Sequence, residues 1–585
     1  MRWNPDALLL TDGELPVMGQ RLGRMLEFFG VSWRALPQSQ VRDELGTSRT
    51  SRCRLLGRAD HFLQMAEGLD RQQDGWRAWQ RQVHSVFIYA SEDREDLDRL
   101  LTRLCDGGRW VERSEDGAEL AVSTGLDEFC GSMSGVRSSA PTDALADVRA
   151  VESCTRSAVR IITIGRGAVF LKVEHENVPV FIALSPAVVD LNGDLGRRHF
   201  DVREQFLSSV PPVLYIKWAF SGTSWTTPET SACLVIDDPL LKRTYGCVDF
   251  RDLLSIMQRH GFSTNIAFIP WNWRRSNADV VRLFREHPER FSLSVHGCDH
   301  TGGEFGSVDA QALAARARQA DERMRRHESA TGIHHDRVMV FPQGVFSTAA
   351  MRALKHTGYM AAVNTEVVSV DASPPALKVS DAWDVAIMRY DGFPLFTRRY
   401  PRDGVANFAF DALLGKPIVI VIHHDFCRNR CAELVDFVQR LNALKSTVVW
   451  RGLGDVVRRS YRSREAGTDE LEVEMYGCDL RLDNPGPRRT RFRVSRYEPD
   501  NSAVKAIYSG DQLVEWRYSE KRLRWDVDVD PGEAALVHVE FEDRAAASEH
   551  RVPLSDRVKT SLRRYLSEAR DNYIVPNRIR LGFFR

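Results

Sequence analysis

Neither sign of charge dominates this chain. Eighty lysines and arginines face 80 aspartates and glutamates, a formal net charge of zero. That balance excludes a global pull toward nucleic acid or an anionic membrane surface. No apolar run is long enough to span a bilayer. The stretch Ala7-Leu8-Leu9-Leu10, after Met1-Arg2-Trp3-Asn4-Pro5-Asp6, is too short for a signal-peptide core. Cysteine is sparse: ten in 585 residues, at Cys53, Cys105, Cys130, Cys154, Cys233, Cys247, Cys298, Cys427, Cys431 and Cys478. They are scattered, several inside apolar runs, which argues against a disulfide framework and for reduced thiols in a cytoplasm. Cys427 and Cys431, four apart, read as helical packing thiols.

What is present is a soluble globular composition, 43% hydrophobic and 27% charged, long enough for about three to four domains at ~150 residues each. Residues 1–145 alternate strand and helix. Ala7-Leu8-Leu9-Leu10 reads as a strand, Leu22, Met25, Leu26 and Phe29 as a helical stripe, and His84 to Tyr89 as a further strand before a helix from Glu92 to Cys105. This predicts an open, flavodoxin-like α/β domain. Asp12 ends the first strand with no phosphate-loop glycines nearby, so a scaffold role or a protein partner is expected there. Residues 146–229 read as β-rich, a connector or an extension of that domain. Beyond Arg462-Ser463-Arg464-Glu465-Ala466-Gly467-Thr468 the apolar period changes to two, as in Leu471-Val473-Met475 and Val537-Val539-Phe541, predicting a β-sandwich over 468–545. Residues 552–585 hold a helix. Val558, Leu562, Tyr565, Leu566 and Ala569 are expected to dock, while Arg557, Lys559, Arg563 and Arg564 stay solvated.

The middle of the chain carries the chemistry. An apolar run ends in Val235-Ile236-Asp237-Asp238-Pro239, and a second ends in His296-Gly297-Cys298-Asp299-His300. Two adjacent carboxylates and an H-x-x-x-H pair, both delivered at strand ends, suit a divalent metal with a spare carboxylate beside it. Asp299 and Glu304 are alternative ligands on residue type alone, though a Gly- and Asp-rich loop explains them equally well. Cys298 reads as a small buried thiol.

These motifs resemble those of the polysaccharide deacetylases, the NodB-homology or carbohydrate esterase family 4 group, across roughly residues 230 to 460. The resemblance implies a distorted (β/α) barrel over 230–462, with Asp238, His296 and His300 as metal ligands and Asp237 as general base. It also implies a histidine acid at the end of a later strand, here Ile418-Val419-Ile420-Val421-Ile422-His423-His424-Asp425. His424 is preferred because the family's histidine is often followed by aspartate, with His423 as the alternative. Pro342 and Gln343, in Phe341-Pro342-Gln343-Gly344, are expected to position the acyl oxygen. The arginine usual in that third motif is missing, and Val363-Asn364-Thr365-Glu366 replaces the usual aspartate-tryptophan motif. A second triplet, His334-His335-Asp336, precedes its strand and should be a solvated loop on the barrel's opposite face.

The aromatics Trp383, Tyr390, Phe393, Phe396 and Tyr400, in a stretch without periodicity, line a sugar groove or cover the core. The expected function is a cytoplasmic, metal-dependent hydrolase, with one divalent ion, zinc for preference. It would remove N-acetyl or O-acetyl groups from a carbohydrate or polysaccharide precursor. The alternatives are a catalytically inactive glycan-binding or assembly protein on the same fold, and a hydrolase of a non-sugar amide.

Overall fold

The computed structural model describes residues 6–41, 43–44, 52–71, 75–91, 93–105, 109–111, 119–139, 150–153, 158–196, 199–444, 447–543 and 554–574. Met1 to Pro5, Glu92 and Cys154, named above, lie outside the described residues. The chain forms two compact units. One takes residues 1–193, 201–225 and 444–446, and the other takes 194–200, 226–443 and 447–585.

The first unit is built on one mixed sheet. Ala7–Thr11, buried at every position, pairs in parallel with Trp33–Pro37 on one side and Cys53–Arg58 on the other. Val83–Tyr89 continues the parallel set. Val178–Ala183 then pairs in parallel with Val83–Tyr89 and antiparallel with Gly167–His175, so the strands after residue 150 extend this same sheet. The β-rich expectation fails at Phe206–Ala219, a helix containing Pro211 and Pro212. Its Pro-Pro pair argues against a helix in sequence. Its side chains are apolar and buried on nearly every side, which is stable only in a core, and burial outweighs the local preference.

The second unit begins with a parallel sheet in the order 395–397, 361–364, 336–340, 291–296, 264–268, 230–237, 418–423, with 448–450 also paired to 230–237. A parallel bridge between Arg399 and Ile420 joins the two ends of that order. Arg399 N–H donates to Val419 O (3.0 Å) and Val421 N–H to Arg399 O (2.9 Å). The result is a nearly closed barrel, as the resemblance implied. Thr230–Asp237 and Thr264–Phe268 are buried almost throughout, which is why they read as continuous apolar runs rather than alternating ones. Side-chain caps start the intervening helices: Asp249 for Phe250–His260, Asp309 for Ala310–Thr331 and Ser347 for Thr348–His356. Because all the strands point one way, Asp237, His296 and His423 finish at the same end of the barrel.

A five-stranded and a four-stranded sheet follow. They share a core that includes Val473, Met475, Phe492, Trp525 and Val539. The stretch taken from sequence as the boundary is itself the first strand, Tyr461–Gly467. The C-terminal helix Leu554–Ala569 reverses its expected orientation. Val558, Leu562, Tyr565 and Leu566 are each more than half exposed, while Arg564 is only 5% exposed. The helix docks by its polar face.

Candidate metal centre and its proton-transfer groups

Asp237 and Asp238 sit at the C-terminal end of Thr230–Asp237. Asp238 adopts φ 81°, and across the barrel mouth Gly297 and His300 take φ 64° and 55°. Left-handed conformations at non-glycine residues cost about 1–3 kcal/mol each and persist where the surroundings enforce them. Glu304 does the enforcing here. Its carboxylate accepts the backbone N–H groups of Cys298 (2.8 Å), Asp299 (3.1 Å) and His300 (3.2 Å), folding the loop back on itself. A Cβ at position 297 would collide with Glu304 Oε1 and Pro342, so the glycine is required twice over. Burial lifts the Glu304 carboxyl above its ordinary range, against the backbone donors. Asp299 is held by Arg323 at 2.6 Å. Glu304 and Asp299 are therefore engaged in scaffolding, and Cys298 is a buried thiol that burial pushes well up.

His296 donates Nδ1–H to Val340 O (3.0 Å), which leaves Nε2 as the free ring nitrogen facing Asp238. His296 Nε2 lies 3.5 Å and His300 Nε2 3.1 Å from Asp238 Oδ1. The ligand atoms of Asp238, His296 and His300 all fall within 4.8 Å of one another. Asp238 Oδ1 is buried and has no hydrogen-bond partner among the described residues. A buried, unpaired carboxylate oxygen between two imidazole nitrogens fits a divalent cation bound through nitrogen and oxygen. Burial is the largest influence on Asp238 and favours the neutral acid. The two imidazoles outweigh it and hold the carboxyl far below its usual range. Burial likewise brings His300 down to about 4, keeping it neutral, as ligation demands.

Asp237 contacts an arginine that sequence reasoning missed. Arg398 grips its carboxylate in a two-pronged pair, Nη1 to Oδ1 at 2.7 Å and Nη2 to Oδ2 at 2.8 Å, with both side chains buried. Burial opposes ionisation of Asp237, but Arg398 first and then His296 overcome it and lower the pKa. The guanidinium missing from the third motif thus arrives one residue beyond the strand Leu395–Thr397. Its only sequence signal is the Arg398-Arg399 pair inside a stretch with no periodicity.

The two candidate acid histidines part company. His423 pairs in register with Asp237 on the neighbouring strand and is exposed at the mouth. Its charge acts on both Asp237 and Asp238. His424 turns aside against Tyr245, ring centroids 5.6 Å apart, with Nε2 3.8 Å from Asp571 Oδ1. Burial works against its protonation, but Asp571 and Cys247 lift the imidazole to about 9. Asp571 comes from the turn after the C-terminal helix. It also accepts from Tyr245 Oη (2.8 Å), while Asn572 Oδ1 accepts Gly246 N–H (2.8 Å).

Pro342 is buried beneath Gly297, and Gln343 is exposed at φ 58°. Trp383 and Tyr390 are fully buried. Trp383 packs on Phe200 and Phe410, and Tyr390 donates its hydroxyl to Val367 O. Of the two readings left open for these aromatics, sugar groove or core, Trp383 and Tyr390 take the core, because aromatic spacing without a period does not distinguish the two. The first triplet is corrected in part. His334 is exposed, but His335 and Asp336 are buried, with His335 against Glu328 (2.8 Å) and Asp336 accepting Gly454 N–H (2.9 Å).

No family model and no curated protein matches the sequence. Among solved structures, the chain is similar in part to a putative polysaccharide deacetylase from Mycobacterium smegmatis, at 15% identity over 40% of this chain and 91% of that one, TM-score 0.28. It is similar to a family 4 carbohydrate esterase from Streptomyces lividans in complex with acetate, at 13% identity over 38% and 93%, TM-score 0.25. A family 4 acetyl xylan esterase from Clostridium thermocellum in complex with a cobalt ion is similar at 7% identity over 39% and 89%, TM-score 0.24.

Proposed function

We propose that the second unit is a metal-dependent hydrolase that removes N-acetyl or O-acetyl groups from a carbohydrate. The observation that carries this reading is the convergence of Asp238, His296 and His300 on one buried, unpaired carboxylate oxygen, beside a second carboxylate kept ionised by Arg398. Asp238, His296 and His300 would hold one divalent ion, zinc being well suited to two imidazoles and a carboxylate. When bound, such an ion lowers the pKa of water to about 7 and polarises an acyl oxygen.

The protein's own groups do the rest. Asp237 is the base: it is ionised, buried and adjacent in sequence to the ligand Asp238, so it takes the proton of the attacking water. Arg398 keeps that carboxylate charged and fixed in orientation. His423, in register with Asp237 and exposed to the mouth, protonates the leaving amine or alcohol. His424, held by Asp571, is a positioning residue behind it. Pro342 and Gln343 shape the loop over the mouth on the side of Gly297.

The test is metal content of the purified protein beside His296→Ala and Asp238→Ala, with acetate release measured on the same samples. The substrates are a panel of N- and O-acetylated oligosaccharides. One metal per chain, lost in both variants and accompanied by acetate release, supports the proposal. An absence of metal even after reloading would overturn it.

A further inference from the structure

The outward face of the C-terminal helix gathers apolar surface that the rest of the chain spreads out. Six of the 12 large hydrophobic residues exposed among the described residues fall between 558 and 574: Val558, Leu562, Tyr565, Leu566, Tyr573 and Ile574. The other six are scattered from Val17 to Leu536. Scattered apolar residues are ordinary surface, whereas a contiguous patch marks an interaction site. The stripe is fixed in its outward orientation from behind. Glu568 pairs with Lys242 and Arg275, and Asp571 accepts from Tyr245, so the opposite face of the helix is tied to the barrel.

The edge of the stripe continues onto the barrel as a row of aromatic and cationic side chains. Tyr565 meets Trp271 edge-on, ring centroids 5.7 Å apart, and the Arg275 guanidinium lies 4.8 Å from the first ring and 5.4 Å from the second. Trp273 carries Arg274 at 4.3 Å, and both tryptophans are half-buried. Their turn, Pro270–Asn272 with Trp273 at its end, follows the strand Thr264–Phe268 at the mouth end of the barrel. Trp271 N–H donates to Cys298 O (3.0 Å), in the loop between His296 and His300. At 100° per residue, Arg557 flanks the stripe on one side and Lys559 and Arg563 flank it on the other, all three exposed. Local positive charge thus borders the apolar face of a chain whose net charge is zero.

We propose that this face docks on an anionic lipid surface. Val558, Leu562 and Leu566 enter the boundary between headgroups and acyl chains, Tyr565, Trp271 and Trp273 sit at headgroup level, and Arg557, Lys559 and Arg563 meet lipid phosphates. Attachment is peripheral, since no helix among the described residues is long and apolar enough to cross a membrane. The flanking cations decide between lipid and a second copy of the chain. A two-fold interface through the stripe would set the same cations against one another, whereas lipid phosphates neutralise them. Docking in this way holds the barrel mouth at the lipid surface, because the tryptophan turn is bonded to the loop that carries His300. It requires neither metal nor turnover and stands apart from the deacetylase reading.

The experiment sediments full-length protein with vesicles of phosphatidylglycerol mixed into phosphatidylcholine, and with vesicles of phosphatidylcholine alone. Wild type should bind the mixed vesicles about tenfold or more tightly than the neutral ones, and raised salt should weaken that preference. The double variant Leu562→Glu, Leu566→Glu should lose at least tenfold in binding while melting at the wild-type temperature, since both side chains are exposed. The triple variant Arg557→Gln, Lys559→Gln, Arg563→Gln should bind the two kinds of vesicle alike. No vesicle binding by wild type, or equal binding by the double variant, would overturn the proposal. So would a wild-type dimer in solution that the double variant dissolves, which would make a second copy the occupant. A lowered melting temperature for the double variant would overturn it as well, by showing the stripe covered within the chain itself.

Discussion

Replacing Asp571 with asparagine removes one negative charge without changing the shape of the side chain. In the native protein His424 is lifted from its ordinary 6.5 to about 9, because Asp571 and Cys247 outweigh the burial that favours the neutral ring. A shift of that size corresponds to about 3 kcal/mol at 1.36 kcal/mol per pKa unit. Its sign follows from linkage. The protonated imidazole binds its proton more tightly in the folded state, so the stabilisation is complete below pH 6.5 and lost as pH rises through 9. Asparagine preserves the acceptor for Tyr245 Oη but removes the negative charge. Burial is then opposed only by Cys247 and Asp425, and the His424 midpoint should fall from about 9 toward the ordinary 6.5. Histidine-selective carbon-13 NMR reads this directly, with the His424 resonance assigned by its absence in His424→Gln. An unchanged midpoint in Asp571→Asn would refute the claim that the C-terminal turn sets the charge of this histidine.

Arg398→Met should strand Asp237 as a buried unpaired carboxylate and cost about 3–5 kcal/mol in stability, while the double variant Arg398→Met, Asp237→Leu should recover most of that loss; thermal unfolding of the three proteins checks it. Gly297→Ala combines φ 64° with a collision against Glu304 and Pro342, so it should displace His296 and His300 and reduce bound metal per chain, measured by elemental analysis. His423→Gln should lower kcat for acetyl release about 10²- to 10⁴-fold with metal content unchanged, whereas an equal or larger loss in His424→Gln alone would reverse the roles given to the two histidines.

The cluster that could hold a metal was legible because its signals are local. A fully buried parallel strand writes a continuous apolar run, and the residues that end it are the residues the barrel presents at its mouth. Asp237, Asp238 and His296 were found in that way, and His300 by its spacing from His296. Arg398 was not, because its partner lies 161 residues away and nothing in the surrounding stretch repeats with a helical or strand period. The choice between His423 and His424 depends on strand register, which a one-residue slip reverses and which an adjacent histidine pair leaves open in sequence. The C-terminal helix misled for a different reason. Amphipathic patterning predicts the buried face only when burial of apolar surface decides how a helix docks. Here Glu568 and Asp571 decide it, through Lys242, Arg275 and Tyr245.

The contact between Tyr245 and Asp571 joins residues 326 apart in sequence. Closing so long a loop is entropically unfavourable, and the barrel's own strand pairings, shorter in range, give it something to close onto. The cluster of Asp238, His296 and His300 is built from the barrel's own strands and loops, whereas Asp571 and Asn572 reach the barrel from the far C-terminal segment. A chain cut ahead of Leu554 would retain Asp238, His296 and His300 and lose Asp571 and Asn572. Its His424 would lose the Asp571 charge that raises it. The cluster of Asp238, His296 and His300 and the groups that set the charge of His424 are therefore encoded in separable stretches of the chain, so one can be altered by proteolysis or mutation while the other is kept.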